Sequence, residues 1–456
     1  MLIILTPIIV TPYISRVLGP DNVGIYNYAF SIVNYFILFG CVGLNLYGQR
    51  EIAYVKDDKE ATSKLFYELQ IIRTVTITLA IATYLLTTVR VSQYPLYYLL
   101  LGIEILASLF DITWFFQGLE NFKMPALRNI VIKGLFLLCV FVFVKEETHL
   151  WIYIICYALS LVIGNLSLWF SLKGELVKVP VLALRPLSHM SPVLILFFPQ
   201  VATNVYTQLD KTMTGLLTDH NYAEVSYYSQ AESIIKIAMT IITSVGGVML
   251  SRVAAVFSKD DTAAVKDYIE KSFRFMFLLA WPMVFGFVAV ASDFVPWFFG
   301  PGYDKVVPCM IALAPLVLII GISNILGTQY LLPTNQTKLY TISVLSGMCV
   351  NVILNFIFIP KFLSIGAVIA TLIAECAVTL TQFVFVRKTF SLKILLFGWK
   401  NFIAALLMGI ATFALSNLLP STIWATAVEV LLGVILYALT LFALRDNFVK
   451  SILRRG

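Results

Sequence analysis

The stretch PVLILFFPQVATNVYTQLDKTMTGLL, residues 192–217, is apolar enough to cross a bilayer, yet it carries Asp210 and Lys211 side by side. A charge near the middle of a membrane helix costs roughly 2.5–3.5 kcal/mol even on a lenient insertion scale. Adjacent helical residues point about 100° apart, so the two cannot easily satisfy each other. Each needs an outside partner or water, and the polar neighbours in the run are Asn204 and Gln208. The run predicts a membrane helix with a wet or polar interior on one side.

The rest of the chain agrees. Its 456 residues are 60% hydrophobic and 12% charged, with mean hydropathy +0.90, far from the composition of a soluble domain. Apolar runs predict spans at 1–18, 23–46, 70–89, 94–116, 127–144, 149–171, 192–217, 222–250, 272–293, 304–332, 337–359, 364–386, 395–418 and 421–444. Each is close to the ~20 residues that cross ~30 Å of hydrocarbon. Continuous runs such as 135–144, LFLLCVFVFV, exclude a β-barrel, whose strands alternate apolar and polar residues. The expected fold is an all-α polytopic membrane protein of about fourteen helices.

The net charge of +7 is explained by its distribution, not by nucleic acid. With a cytoplasmic N-terminus, 25 of the 32 Lys and Arg fall on the inner side, among them Arg50, Lys56, Arg73, Lys123, Arg128, Lys133, Arg185, Arg252, Lys450, Arg454 and Arg455. The outer side holds five: Arg16, Arg90, Lys145, Lys305 and Lys361. That bias places both termini in the cytosol. The opening MLIILTPIIV has no basic n-region or small-residue cleavage site, so it reads as a first membrane helix without its cytosolic lead. The six cysteines (Cys41, Cys139, Cys156, Cys309, Cys349, Cys376) fall in or beside spans without a CxxC and are expected to be buried packing residues. His149, His189 and His220 sit at separate helix ends, which argues against a metal or His-based catalytic site.

Two hydrophilic stretches, 49–68 and 251–271, resemble each other. At an offset of 202, Tyr26, Ala29, Ser31, Ile32, Arg50, Lys64 and Glu68 recur as Tyr228, Ala231, Ser233, Ile234, Arg252, Lys266 and Glu270. Spans 1–6 and 7–12 are therefore read as homologous lobes in parallel orientation around a cavity. The expected boundaries are an N-terminal lobe at 1–190, a C-terminal lobe at 191–390, and spans 13 and 14 with a cytoplasmic tail at 391–456.

Ionisable residues within spans mark candidate sites. Glu104 and Asp111 are seven apart on the fourth span and are expected on one face. Glu232 and Lys236 can pair at i,i+4, as a packing device or as part of the cavity. Glu375 lies on span 12 and Glu429 on span 14, close to nothing else singled out. Arg16 precedes Gly19-Pro20 at a helix break, where it can snorkel outward or line the cavity. Arg50 and Arg252 are either interfacial anchors or the flanks of an inward mouth, where guanidinium forks suit diphosphate oxygens. Gly366, Ala370 and Ala374 form a small-residue ridge for close helix packing. Pro192, Pro199, Pro282, Pro296, Pro315 and Pro333 mark helices that can bend.

Six ordered motifs, PYISRVLGPDNVGIYNYAFSI, YGQREIA, DITWFFQGLENFK, YTQLDKTMTGLL, YYSQAESIIKIA and NFIFIPKFLSIGAVIATLIAE, span almost the whole chain. In them it resembles bacterial polysaccharide-unit flippases, the Wzx-like branch of the multidrug/oligosaccharidyl-lipid/polysaccharide exporter superfamily. The resemblance implies alternating access, and movement of an undecaprenyl-diphosphate-linked oligosaccharide repeat unit from inner to outer leaflet for capsule or O-antigen-type surface polysaccharide. It implies a bacterial inner-membrane protein and no cofactor, with coupling to an H⁺ or Na⁺ gradient. Partners would be membrane lipids, a polysaccharide polymerase and glycosyltransferases, with no nucleic acid. The site expected from motif and span positions is Arg16, Arg50, Asp111, Asp210, Lys211, Glu232, Lys236, Arg252 and Glu375, with Glu51 and Glu120 in the same motifs. Lys211, Arg16 and Lys236 are expected to meet the headgroup, and the acids to balance charge. Ser233, where relatives often carry Lys, departs from the pattern.

A drug/cation antiporter of the same superfamily is the alternative, but it predicts an acid-dominated cavity, whereas these charges have mixed sign. A membrane polymerase or acyltransferase predicts a large outer loop or a His/Asp/Arg cluster, and neither is read here. The expected protein is a transporter, not an enzyme.

Overall fold

The protein's computed structural model describes residues 2–445, with the side chains of residues 2–5, 198, 199, 202 and 203 left aside. Every regular element among them is helical. Among the described residues, twelve stretches are long and apolar enough to cross a membrane. The first, Thr6–Val55, takes in residues 6–18 of the first expected span and all of the second, and the expected span 192–217 lies in a further helix, Met190–Leu217. The expected tail residues Lys450, Arg454 and Arg455 lie outside the described residues. The chain forms two compact units, Met1–Thr212 and Met213–Gly456.

The first unit opens with α1 (Leu2–Cys41), broken at Gly19, where φ 72° and ψ 171° leave the helical region. Glycine tolerates that φ, and Pro20 disfavours a helical residue before it, so the expected break falls there for a steric reason. After Gly43, itself left-handed at φ 78°, come α2 (Leu44–Val55) and α3 (Lys59–Tyr84). The hydrophilic stretch 49–68 is thus mostly helix and not a loop. Asp58 caps α3 by accepting from the Glu60 and Ala61 amides at 2.9 and 3.1 Å, a contact worth about 1 kcal/mol.

The unit continues through α4 (Pro95–Leu109), α5 (Thr113–Gly118), α6 (Lys123–Phe143), α7 (Leu150–Phe170) and α8 (Met190–Leu217), the last running on into the second unit. Its core is aromatic. Phe66 stacks on Trp114 at 5.8 Å and meets Phe115 and Trp169 edge-on, while Leu44, Ile52 and Leu69 fill the spaces. Two of the motifs quoted above pack directly on each other, YGQREIA on α2 and the TWFFQG part of DITWFFQGLENFK on α5. Gly48 faces the Trp114 indole and Gly118 faces Ile52, so both positions exclude a side chain.

The second unit holds α9 (Tyr222–Phe257), α10 (Thr262–Phe299), α11 (Val306–Leu313), α12 (Leu316–Asn324), α13 (Thr337–Phe362), α14 (Ser364–Val386), α15 (Trp399–Ser416) and α16 (Ile423–Ala443). Only a short turn separates α9 from α10, so 251–271 is also mostly helix, and Asp261 caps α10 through the Ala264 amide at 2.9 Å. α13 and α14 form a tight hairpin at Leu363. A β-carbon at Gly366 would fall 2.3 Å from the Phe358 carbonyl oxygen, and one at Gly347 would fall 3.1 Å from that of Ala374. The expected small-residue ridge is therefore a packing surface, with Ala370 and Ala374 fully buried. The last two helices pack on α10 through Ala404, Met408 and Tyr437 against Leu278, Trp281 and Phe285.

The cysteines depart from expectation. All six are free thiols, but only Cys309 is buried and Cys349 is exposed. In a bilayer an exposed apolar helix face meets lipid, so a weakly polar thiol is tolerated there without a protein cover.

Candidate functional site

In the first unit α8 meets the second half of α1 through hydroxyl groups. Thr212 Oγ1 lies 2.8 Å from Ser31 Oγ and 3.1 Å from the Tyr35 hydroxyl. Asp210 is buried at 5% exposure and is a charged neighbour of Tyr35. Lys211 is half-buried and Arg16 is exposed one turn before the Gly19 break. The two members of the motif thus have different settings, as their divergent directions require.

Asp111 is not on α4. That helix ends at Leu109, and Asp111 stands in the break before α5, where its Oδ1 accepts the Thr113 amide at 3.0 Å. The expected shared face of Glu104 and Asp111 therefore does not form, because α4 gives way to a capped turn. Arg73, read from sequence as an inner-side charge, is 1% exposed and holds that turn together. Its guanidinium donates to Ser108 O at 3.1 Å, to Asp111 O and to Asn45 Oδ1.

Asp111 is also a charged neighbour of Arg128 on α6. Arg128 donates to Asn165 Oδ1 at 2.7 Å and Asn129 Oδ1 at 2.8 Å, while its buried Nε–H reaches no acceptor among the described residues. Asn165 is fixed by its bond to Ala107 O at 2.8 Å. Arg128, Asn129, Lys133, Tyr157, Ser160 and Asn165 line a cavity of about 220 Å³ between α1, α6 and α7. Beside it Glu104 is 3% exposed, with one carboxyl oxygen that receives no donor, among Tyr26, Tyr153 and Tyr157. Reading Arg128 and Lys133 as inner-side anchors missed this cavity. The available signal was that both residues already lay within the expected span 127–144, where a charge calls for a polar setting.

Arg50 is paired with its neighbour Glu51 at 2.7 Å and lies 5.5 Å from the centre of the Tyr47 ring. Glu120 is bound to Lys56 at 3.0 Å. Tyr47 in turn hydrogen-bonds His189 Nδ1 at 2.8 Å, and His189 Nε2 lies 2.8 Å from buried Glu68, whose other oxygen accepts the Arg185 amide at 2.6 Å. This network ties the segment before α8 to α2 and α3. Reading the histidines one by one could not show it.

In the second unit Lys236 and Glu232 form the expected i,i+4 pair at 2.7 Å, with Glu232 the more buried partner. Glu375 is half-buried beside Tyr340, and Arg252 is exposed. A residue the sequence reading passed over, Glu224, is 1% exposed and accepts from Lys305 Nζ at 2.5 Å and from the Ser364 amide and hydroxyl at 3.1 and 2.6 Å. The hydrogen bond to Glu224 holds the Lys305 ammonium pKa above its ordinary value. This carboxylate is fully engaged and serves the fold.

The candidate residues therefore fall in two groups, one in each unit, each set among hydroxyl and amide groups of its own unit.

The family described as "Polysaccharide biosynthesis protein" matches residues 1–257. A relative named "Putative O-antigen transporter" of Escherichia coli (strain K12) is 24% identical over 389 residues, covering 84% of this chain and 93% of that protein. The "Probable low-salt glycan biosynthesis flippase Agl15" of Haloferax volcanii is 22% identical over 255 residues, covering 55% of this chain and 53% of its own. Among solved structures, the lipid II flippase MurJ in an inward closed conformation aligns with TM-score 0.69 over 99% of both chains at 19% identity. An inward-facing multidrug resistance MATE transporter aligns with TM-score 0.68 at 13% identity, covering 86% of this chain and 94% of that one.

Proposed function

The chain belongs to the polysaccharide biosynthesis protein family, and from that premise we propose that it is a flippase for a lipid-linked glycan. The cargo is an undecaprenyl-diphosphate-linked oligosaccharide, carried from the inner to the outer leaflet of a bacterial plasma membrane by alternating access. Its product feeds surface polysaccharide assembly, and both termini lie in the cytosol. The relatives' printed names and the likeness to a lipid II flippase support the reading.

The observation that carries it is the cavity between α1, α6 and α7, where Arg128 and Lys133 stand among Asn129, Ser160 and Asn165. A sugar diphosphate cannot enter hydrocarbon without replacing its hydration, and these groups offer that replacement. A guanidinium and an ammonium suit phosphate oxygens, while amides and hydroxyls suit sugar hydroxyls. Lys211, half-buried on α8, is the further cation assigned to the headgroup. Transport of this kind needs no covalent step.

The test is complementation of a strain deleted for the gene. Lys211→Met, Lys133→Met and Arg128→Met should each lower surface glycan at unchanged protein level, with lipid-linked intermediate accumulating on the cytoplasmic face. Normal display by the deletion strain, or by all three variants, would overturn the proposal.

A further inference from the structure

α10, α15 and α16 line a second cavity, of about 480 Å³, in the second unit. Its walls are apolar, including Leu278, Met283 and Phe287, apart from Thr412, Glu429 and Tyr437. Glu429 is fully buried, and no donor among the described residues reaches either of its carboxyl oxygens. Thr412 is 4% exposed with its hydroxyl equally unpartnered, and it stands beside Gly433, one turn along α16 from Glu429. On α10, Asp293 is 8% exposed. Its Oδ1 accepts from Ser421 Oγ at 2.9 Å, while its buried Oδ2 receives nothing.

Asp293 is the charged neighbour of Glu429, and the two carboxyl groups come within hydrogen-bonding reach. One turn from each, Trp297 Nε1 donates to Thr426 Oγ1 at 2.8 Å and fixes the register of α10 on α16. Two carboxylates cannot approach in a dry, apolar site while both are bare. The contact becomes attractive only with a proton or a metal cation between the oxygens.

We infer that Asp293, Glu429 and Thr412 form a site that holds one monovalent cation, a proton or Na⁺. Four buried oxygens there are without partners: Asp293 Oδ2 and both oxygens of its neighbour Glu429, with Thr412 Oγ1 on the cavity wall that Glu429 also lines. No third carboxylate, His or Cys joins them among the described residues. Ca²⁺ takes six to eight oxygens and Mg²⁺ keeps several waters, so a dry site of this size suits neither. Other charges on these helices stand apart. Lys400, at the start of α15, binds the Leu444 and Arg445 carbonyls just past the end of α16, and the remaining charged residues of α10 lie in its first four turns. Tyr437, two turns along α16, is engaged with Leu278 O and Asn401.

The experiment uses the purified full chain in nanodiscs and reads binding, so it stands apart from the transport proposal. Thermal unfolding in NaCl is compared with choline chloride at equal ionic strength, and infrared difference spectra follow the protonated carboxyl band through a pH titration. If the ion is Na⁺, sodium raises the melting temperature, Glu429→Gln and Asp293→Asn each abolish the rise, and Thr412→Val weakens the Na⁺ dependence several-fold. If it is a proton, sodium has no effect, and a protonated carboxyl band present near neutral pH disappears in Glu429→Gln. Should the carboxamide variants fail to fold, a sodium response and carboxyl band both unchanged in Thr412→Val overturn the inference. It is likewise overturned if the native chain shows neither signal, or if both persist in Glu429→Gln and Asp293→Asn.

Discussion

Gly48 of α2 lies so close to Trp114 of α5 that a β-carbon there would fall 2.4 Å from the indole ring. Trp114 is fully buried and stacked on Phe66, so it has nowhere to withdraw. Gly48→Ala is expected to cost about 1–3 kcal/mol by overpacking. Gly118→Ala should do the same against Ile52, 2.6 Å away. Thermal unfolding in nanodiscs checks both, with Gly134→Ala as control, since nothing lies within 4 Å of a β-carbon at that position. Equal melting temperatures for Gly48→Ala and Gly134→Ala would contradict this packing.

Arg73 offers a second test. Its guanidinium satisfies the Ser108 carbonyl in the last turn of α4, the Asp111 carbonyl in the break before α5, and the Asn45 amide oxygen. Arg73→Leu strips those acceptors of their donors, which costs about 1–3 kcal/mol for each group left unpaired. Arg73→Lys keeps the charge but not the planar fork, and should fall between native and Leu. The measurement is the melting temperature together with hydrogen exchange at residues 110–113, which should quicken in Arg73→Leu.

These cases show what one sequence can and cannot reveal. The spans were legible because burial in lipid demands long unbroken apolar runs. The break at Gly19-Pro20 and the i,i+4 pair Glu232–Lys236 were legible because their causes are local. Asp111 departs from the expected helix face because helical periodicity stops at Leu109, where a capped turn held by Arg73 takes over. Arg128, His189 and the Asp293–Glu429 pair were not readable as contacts, since their partners come from helices distant in sequence.

The Glu68–His189–Tyr47 network predicts a local effect. Glu68 accepts both the Arg185 amide and His189, so Glu68→Ala removes two bonds from the segment leading into α8. The expected outcome is faster amide exchange over 181–189, with a loss of about 1–3 kcal/mol. Tyr47→Phe removes only the outer link and should change exchange less. Protection left intact in Glu68→Ala would show that the network does not hold the segment.

Lys305 and Glu224 give the stability a defined pH dependence. The Lys305 pKa is raised in the folded state, chiefly by its hydrogen bond to Glu224. Stability from a raised pKa is fully present below the unfolded value and is lost as pH rises through the folded one. The profile should therefore be flat through neutrality and fall only on the alkaline side. The Lys305 side chain is 53% exposed, so solvent screening limits the pair to about 1 kcal/mol. Lys305→Met should remove the part of the alkaline fall due to this pair; an identical fall in that variant would assign it elsewhere.

Glu232 and Lys236 separate packing from transport. Glu lies N-terminal to Lys at i,i+4, the favourable orientation, and the pair closes at 2.7 Å. If Lys236 only neutralised Glu232, Glu232→Gln with Lys236→Met would restore both stability and transport that Lys236→Met alone loses. If Lys236 also meets an anionic cargo, the double variant regains the melting temperature while transport stays low. The second outcome is expected, because the Lys236 side chain is 46% exposed whereas Glu232 is 13% exposed. The more open partner is the one a cargo can reach. A double variant with native surface glycan would assign the pair to the fold alone and remove Lys236 from the binding surface.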